Sequence, residues 1–338
     1  MRKKTVTFSD IAQYTGFSKN TISRYFNAPD TITEKNRKII SDALDTLGYR
    51  ENKVARILAN GKTEFIGVIV PNLDLHFYSD FLSRLLELYK DYGYKFLVFS
   101  GNDDYETERQ YISELLAYKI EGMVILSHTI PSKELASYNI PVVSVEREDK
   151  FISSVNTDNI SGGRDAARLL SESGCEILIH INSKVTPNTP AYGRISGFCE
   201  YCDERGIEKE VIQVGWTDSF ADNKRILEGI LCEIEEKYKD RRKGIFVSND
   251  TNAACLLNII CRKHGALPDD IRIVGFDNSA ASAEAIIPIS TIGQQLDLIA
   301  KNVMELLKTQ IDARRNGENA PSLEHRTIPV ITVKRETA

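Results

Sequence analysis

The spacing of hydrophobic positions changes once along the chain, and the change divides it. In residues 7–27 (T-F-S-D-I-A-Q-Y-T-G-F-S-K-N-T-I-S-R-Y-F-N) the apolar residues recur at helical spacing in two short runs, broken at Thr15-Gly16-Phe17. Ile11 and Ala12 give the first run its inner face, and Ile22 and Phe26, four apart, give the second. Thr7 is an N-cap candidate with Asp10 as a short-armed capping-box partner, and Ser18 is an N-cap candidate for the second run. Gly16 supplies the left-handed turn that other residues resist. A third helix is predicted from Thr33 to Leu47, with Ile39, Ile40, Ala43, Leu44 and Leu47 on one stripe and Gly48 as its stop. Three such helices can share one small core.

From residue 65 onward the pattern becomes short, nearly continuous apolar runs alternating with amphipathic stretches. Strands are predicted at 65–70, 96–99, 123–126, 141–145, 177–181, 211–214, 245–247, 271–276 and 330–333. Helices are predicted at 79–92, 105–119, 161–173, 191–205, 219–239, 249–264 and 294–315. Apolar runs of this length between helices indicate parallel strands covered on both faces, hence doubly wound α/β sheets. The body is too long for one such sheet, so two lobes are expected.

Charge follows the same division. Residues 1–62 carry net +6 and the remainder net −11, inside a whole-chain −5. A basic headpiece on an acidic body is expected when only the headpiece meets phosphates. The polar face of the second helix, Lys19, Asn20, Ser23 and Arg24, suits contact with DNA, since Lys and Arg pair with guanine and Asn with adenine. The alternative is an ordinary helical hairpin with a solvated face.

The run S-D-I-A-Q-Y-T-G-F-S-K-N-T-I-S-R-Y-F-N, with L-G-Y (47–49) and N-K-V-A-R-I-L (52–58), resembles the headpiece of the LacI/GalR family of bacterial transcriptional regulators. The resemblance continues through I-G-V-I-V-P (66–71), I-P-V-V-S-V-E-R (140–147), D-N-I-S-G-G (158–163), R-I-S-G-F (194–198), S-N-D (248–250), V-G-F-D-N (274–278) and S-T-I-G-Q (290–294). Each segment is weak alone; in order and at family spacing across the chain they are specific. The resemblance implies an N-terminal all-α helix-turn-helix headpiece (1–50), a hinge helix or linker (51–63) and a two-lobed, periplasmic-binding-protein-like α/β body (64–338). Lobe 1 is expected at 64–158 and 290–320, lobe 2 at 159–289 and 321–338, with crossovers near Asn159, Pro288 and Pro321.

It also implies a homodimer reading a pseudo-palindromic double-stranded operator. Thr7, Ser18, Lys19, Asn20, Thr21, Ser23, Arg24 and Asn27 would contact DNA from the headpiece. Asn52, Ala55 and Leu58 would do so from the hinge, Leu58 as a minor-groove wedge. The expected effector residues are Phe77, Tyr78, Glu146, Arg147, Arg194, Trp216, Asn249, Asp277 and Gln294. Most follow the carboxyl ends of predicted strands, where open α/β sheets bind ligands. Acid, amide, Arg and an aromatic face suit a hydroxyl-rich ring, so a carbohydrate is the expected effector. Asp158 and Asn159 are expected to shape a crossover.

The chain departs from the family pattern twice. Many members read N-P-F-F after V-I-V-P, whereas here Asp74-Leu75-His76-Phe77-Tyr78 follows, which leaves a non-sugar effector open. Glu51 stands where the family usually has Pro before Asn52.

Other functional classes fit less well. The body alone is similar to solute-binding proteins, but Met1-Arg-Lys-Lys is followed by Thr-Val-Thr rather than an apolar signal run, and a basic headpiece argues against export. No stretch reaches the roughly 18–20 apolar residues of a membrane span. A cytoplasmic protein is expected, with no membrane partner. No phosphate-cradling loop, dinucleotide fingerprint or nucleophile elbow occurs, so no enzyme, catalytic residue or cofactor is expected. Six dispersed cysteines suit a reducing compartment, and Cys199-Glu-Tyr-Cys202 lacks a second ligand pair, so no metal is expected. No tetramerising tail is expected after the 330–333 run.

Overall fold

The computed structural model describes residues 6–50, 61–73, 75–101, 104–147, 150–217 and 219–338. Asn52, Ala55 and Leu58 lie outside the described residues. Residues 1–62 and 63–338 are separate compact units.

In the first unit, α1 (Phe8–Thr15), α2 (Lys19–Asn27) and α3 (Glu34–Leu47) surround Ile11, Ile22 and Ile40, all fully buried. Asp10 accepts from the Thr7 backbone N–H (2.8 Å) and hydroxyl (2.7 Å), so the N-terminal box forms as expected. Ser18 accepts from the Thr21 N–H at 3.1 Å. Gly16 ends α1 at φ 74°. Phe8 stacks on Phe26, ring centroids 5.2 Å apart, closing the core beside Tyr49. Ile39, expected on the inner stripe, is exposed; Ile40, Ala43, Leu44 and Leu47 already fill the face that three short helices can cover.

The body contains two six-stranded sheets. The elements of the first lobe are β1 (Phe65–Val70), α4 (His76–Glu87), α5 (Tyr89–Tyr92), β2 (Lys95–Ser100), α6 (Tyr105–Ala117), β3 (Gly122–Ile125), α7 (Ser132–Ser137), β4 (Val142–Val145) and β5 (Ser153–Thr157). Those of the second are α8 (Asn159–Glu172), β6 (Ile177–Ser183), α9 (Tyr192–Arg205), β7 (Glu208–Val214), α10 (Phe220–Lys237), β8 (Lys243–Val247), α11 (Asp250–His264), β9 (Ile271–Asp277), α12 (Ala280–Ala283) and β10 (Ser290–Gly293). Then follow α13 (Leu296–Arg315), β11 (His325–Ile328) and β12 (Ile331–Val333). The sheet orders are β11-β5-β4-β3-β1-β2 and β12-β10-β9-β8-β6-β7, parallel except where β12 runs against β10.

Each sheet is covered on both faces. Ile66, Val68 and Val70 pack with Phe81, Leu85 and the buried side of α13, while Ile69, Met123 and Ile125 pack with Ile112 and Leu115 of α6. In the second sheet Ile177, Ile179 and Ile181 face α10 and α11, and Leu178, Phe246 and Phe276 face α8 and α9. Side-chain alternation along each strand thus serves two apolar layers at once.

The sheet order corrects the expected lobe boundaries. β10 belongs to the second sheet and β11 to the first, so the chain crosses at 157–159, 293–296 and 328–331. The expected crossovers near Pro288 and Pro321 are displaced because Ser290-Thr291-Ile292-Gly293 and His325-Arg326-Thr327-Ile328 are short and polar. Ser290 and Thr291 are nevertheless fully buried, held by bonds such as Ser290 N–H to Thr337 Oγ1 at 2.9 Å.

Candidate effector cleft and DNA-reading face

On α2, Lys19, Asn20, Arg24 and Asn27 are exposed, Thr21 and Ser23 half-buried. Thr7 and Ser18 are exposed caps. Arg24 is engaged within the headpiece: its Nε donates to the Thr31 hydroxyl at 3.2 Å and its Nη2 to the Thr31 carbonyl at 3.1 Å. Asn27 Nδ2 donates to Ser23 Oγ at 3.2 Å. Lys19 and Asn20, on the first turn, are where an exposed helix start presents side chains to base edges.

In the body, the carboxyl ends of the strands and the start of α4 converge on a cavity of about 140 Å³. It brings together Phe77, Tyr78, Glu146, Arg194, Asn249, Asp277 and Gln294 from the expected set. Leu75 and His128 from the first lobe, and Asn182, Ser183, Val185, Ala191 and Ser248 from the second, complete its wall.

The polar groups form a continuous network. Arg194 Nε donates to Asn159 Oδ1 (2.8 Å) and Nη1 to the Ser248 carbonyl (2.5 Å), with the guanidinium carbon 3.7 Å from the Phe276 ring centre. Asn159 Nδ2 donates to Glu146 Oε2 at 3.0 Å, and the Thr157 N–H to Glu146 Oε1. Gln294 Nε2 donates to Asp277 Oδ1 at 2.7 Å, while its carbonyl oxygen accepts from the Thr157 hydroxyl. Asn159 and Gln294 sit on two crossovers, so both lobes are tied to one set of side chains. Asp158 instead caps α8, accepting from the Ser161 N–H at 3.0 Å.

Burial pushes the Asp277 carboxyl up to about 8, with Asp250 and Glu146 adding to the rise and Arg194 opposing it. Asp277 ends β9 at φ 108° and Glu146 follows β4 at φ 54°, left-handed conformations held by these bonds. His128, exposed on the first-lobe side of the cleft, is held below the usual histidine range by desolvation against the protein and by Arg147 nearby. Asp250 lies beneath the cleft and accepts from Thr291 Oγ1 (2.7 Å) and the Ser279 N–H (2.7 Å), anchoring the loops after β9 and before β10.

Two expected effector residues are not among the groups lining the cavity. The Arg147 guanidinium turns away and donates to the Ser127 carbonyl (2.8 Å) and the Ile130 carbonyl, bracing a first-lobe loop. Trp216 packs half-buried against the second-lobe core, drawn there by its apolar area. Conversely, Asn182 and Ser248 went unrecognised in the sequence. Asn182 Nδ2 and Ser248 Oγ are buried on the cavity wall without a hydrogen-bond partner within the protein. Their signal was positional: each stands at the carboxyl end of a strand.

A larger cavity of about 560 Å³ lies behind the crossovers, among Asn156, Asn159, Tyr192 and His325. No unpartnered buried side-chain atom among the described residues lines it, and the smaller cleft is the better site because buried polar groups converge there.

Comparison with known proteins agrees with this geometry. Residues 7–52 match bacterial regulatory proteins of the lacI family, residues 63–230 the periplasmic binding proteins and sugar binding domain of the LacI family, and residues 166–338 the periplasmic binding protein-like domain. The chain belongs to the LacI family. Among LacI-family relatives it is 29% identical over 306 residues to the sucrose operon repressor of Streptococcus mutans, covering 90% of this chain and 92% of that one. It is 28% identical over 334 residues to the ribose operon repressor of Halalkalibacterium halodurans, covering 98% and 96%. A periplasmic binding protein/LacI transcriptional regulator from Alkaliphilus metalliredigens, solved with D-xylulofuranose, superposes with TM-score 0.71 at 28% identity, covering 81% of this LacI-family chain and 98% of the other. The lac repressor dimer bound to operator and an anti-inducer superposes with TM-score 0.80 over 99% of each chain; at 24% identity that likeness shows the fold.

Proposed function

We propose that this LacI-family chain is a homodimeric, cytoplasmic repressor whose operator affinity is set by a carbohydrate held between the two lobes. The observation that carries the reading is the cleft itself: carboxylate, guanidinium and amide groups from both lobes converge on it with buried hydrogen-bonding atoms still unpartnered. In a buried site such atoms are costly unless a ligand completes them. Relatives that share nearly the whole chain include a sucrose and a ribose operon repressor, and one solved neighbour holds a keto sugar.

In this reading Lys19 and Asn20 read base edges in the major groove. Thr7, Ser18, Thr21, Ser23, Arg24 and Asn27 fix the helix on phosphates and sugars, with Arg24 presented from its Thr31 tether. Arg194, Asp277, Asn249, Glu146 and Gln294 hold the effector, and Phe77 and Tyr78 give it an apolar face. Binding rather than catalysis fits the carboxylates, since both Glu146 oxygens are committed to Thr157 and Asn159. No helix among the described residues is long and apolar enough to cross a membrane.

A ligand spanning both lobes favours their closed arrangement, and it changes DNA affinity only through unequal binding to the two states, by about 1–3 kcal/mol for a useful response. The test is a gel shift with DNA upstream of the adjacent operon, with and without candidate sugars. A specific, sugar-sensitive complex is expected; no shifted complex on any upstream fragment would overturn the reading.

A further inference from the structure

Resting on the proposal that α2 reads operator DNA, we infer that Thr31, in the turn between α2 and α3, is a positioning residue for DNA recognition. It grips one edge of the Arg24 guanidinium and leaves the other edge preset to take a pair of acceptors on the duplex.

The grip is built on the run A-P-D-T-I (28–32). Pro29, with its fixed φ, opens a single 3-10 turn, Pro29–Thr31, directly after α2. The Ala28 N–H donates to the Arg24 carbonyl at 2.8 Å, the Thr31 N–H to the Ala28 carbonyl at 3.0 Å, and the Ile32 N–H to the Pro29 carbonyl at 3.1 Å. Ile32 is buried, which anchors the end of the turn. From α3, Arg37 Nη2 donates to the Pro29 carbonyl at 2.9 Å. The turn is thus held at both ends.

This backbone decides which way the Thr31 hydroxyl points. A hydroxyl carries one hydrogen and two lone pairs. Thr31 Oγ1 gives its hydrogen to the Ala28 carbonyl at 2.7 Å, so it meets Arg24 as an acceptor, and Arg24 Nε donates to it at 3.2 Å. Arg24 Nη2 donates to the Thr31 carbonyl at 3.1 Å. Nε and Nη2 form the side edge of the planar guanidinium, and Thr31 occupies that edge with two acceptors.

The end edge, with one N–H from Nη1 and one from Nη2, is left over. Its fork matches either two phosphate oxygens or the O6/N7 pair of guanine. Arg24 is exposed, and an ungripped arginine would lose its rotamer freedom only on meeting DNA. Held by Thr31, it has lost that freedom already on folding.

The experiment measures fluorescence anisotropy of the full chain on the upstream duplex that gives the specific complex and on random-sequence DNA, over a range of salt. The proteins are the parent, Thr31→Val, Thr31→Ser, Arg24→Ala and the double variant Thr31→Val/Arg24→Ala. Thr31→Val keeps the shape and removes the hydroxyl, and should weaken operator binding about two- to tenfold, the scale of ordering one long side chain. Thr31→Ser keeps the hydroxyl and should bind as the parent does. In the Arg24→Ala background Thr31→Val should cost nothing further, a coupling that a merely structural role of the turn would not produce. Thr31 is exposed, so Thr31→Ala gives the same reading should Thr31→Val fail to fold. The Arg24→Ala variant distinguishes the two acceptor pairs, either of which supports the inference. Weakening on both duplexes, with the salt slope reduced by about one, places the fork on a phosphate; weakening on the operator alone places it on guanine. Equal losses from Thr31→Val with and without Arg24, or no loss, would overturn the inference and leave the DNA-binding reading standing. Failure of the parent to bind any upstream duplex would overturn both.

Discussion

Arg194 is the residue on which the cleft is built. Its guanidinium is buried over Phe276, bonded to Asn159 on a crossover and to the end of β8, and flanked by Asp277. Arg194→Ala should therefore lose the sugar response in calorimetry while the headpiece still binds DNA. It should also lower stability by about 1–3 kcal/mol in chemical denaturation, because it leaves Asn159 Oδ1 and the Ser248 carbonyl without their buried donor. A second residue, His180, supplies a pH test. Its ring is fully buried, stacked 4.2 Å from Phe246, with Nδ1 3.1 Å from the Phe246 carbonyl and Nε2 unpartnered. Burial pushes it down to about 3. The unfolded chain thus binds a proton that the native state refuses. The stability from neutral His180 is complete above about pH 6.5 and is lost as pH falls from there toward 3, by up to about 1.4 kcal/mol per pH unit. Asp277, raised by burial, has the opposite sign: its contribution is full below about pH 3.8 and is lost as pH rises toward 8. The expected signature is accordingly a difference between two curves. Denaturation of His180→Leu should show less loss on acidification from pH 6.5 to 4 than the parent, and parallel curves would refute the assignment.

At the scale of elements, the position of Arg194 depends on how closely two helices meet. A Cβ on Gly163 of α8 would fall 2.1 Å from the Arg194 carbonyl oxygen, and one on Gly197 of α9 would fall 1.9 Å from that of Ile160. Only glycine admits backbones this near. Gly197→Ala should force the helices apart, costing about 1–3 kcal/mol and weakening sugar binding together, since Arg194 moves with α9. A variant with unchanged melting temperature and sugar affinity would contradict that coupling. Gly162, beside Gly163 in the same motif, lets α8 approach the sheet, for a Cβ there would meet Phe276 of β9 at 2.7 Å. The helix–helix approach of Gly163 was not legible, because Gly197 lies far along the chain. Strands were legible where they were apolar: 65–70 and 245–247 fall within β1 and β8. The polar strands β5, β10 and β11 were hidden, the Ser and Thr residues of β5 and β10 being buried by bonds that only the assembled sheet supplies and β11 being largely exposed, and the lobe boundaries moved with them.

At the scale of the whole molecule, the change in hydrophobic period and the charge division between residues 1–62 and the rest made the two units readable from sequence. The cleft was readable in its charged residues, because carboxylates and Arg at strand ends stand out against apolar runs. It was not readable in Asn182 and Ser248, ordinary polar residues until the fold buries them, nor in the turning away of Arg147 and Trp216. The charge division predicts that operator affinity falls steeply with salt, as counterions are released from phosphates met by the basic headpiece. Sugar binding in the near-neutral cleft should change little over the same range. The most direct test of a regulator with two such sites is fluorescence anisotropy of labelled operator against the full chain at fixed salt, titrated with the cognate sugar, for the parent and Arg194→Ala. The expected result is a shift in operator affinity of about 5–150-fold for the parent and none for the variant, with sugar-free affinities alike. A variant that responds to sugar as the parent does would contradict the central claim that the cleft around Arg194 controls DNA binding.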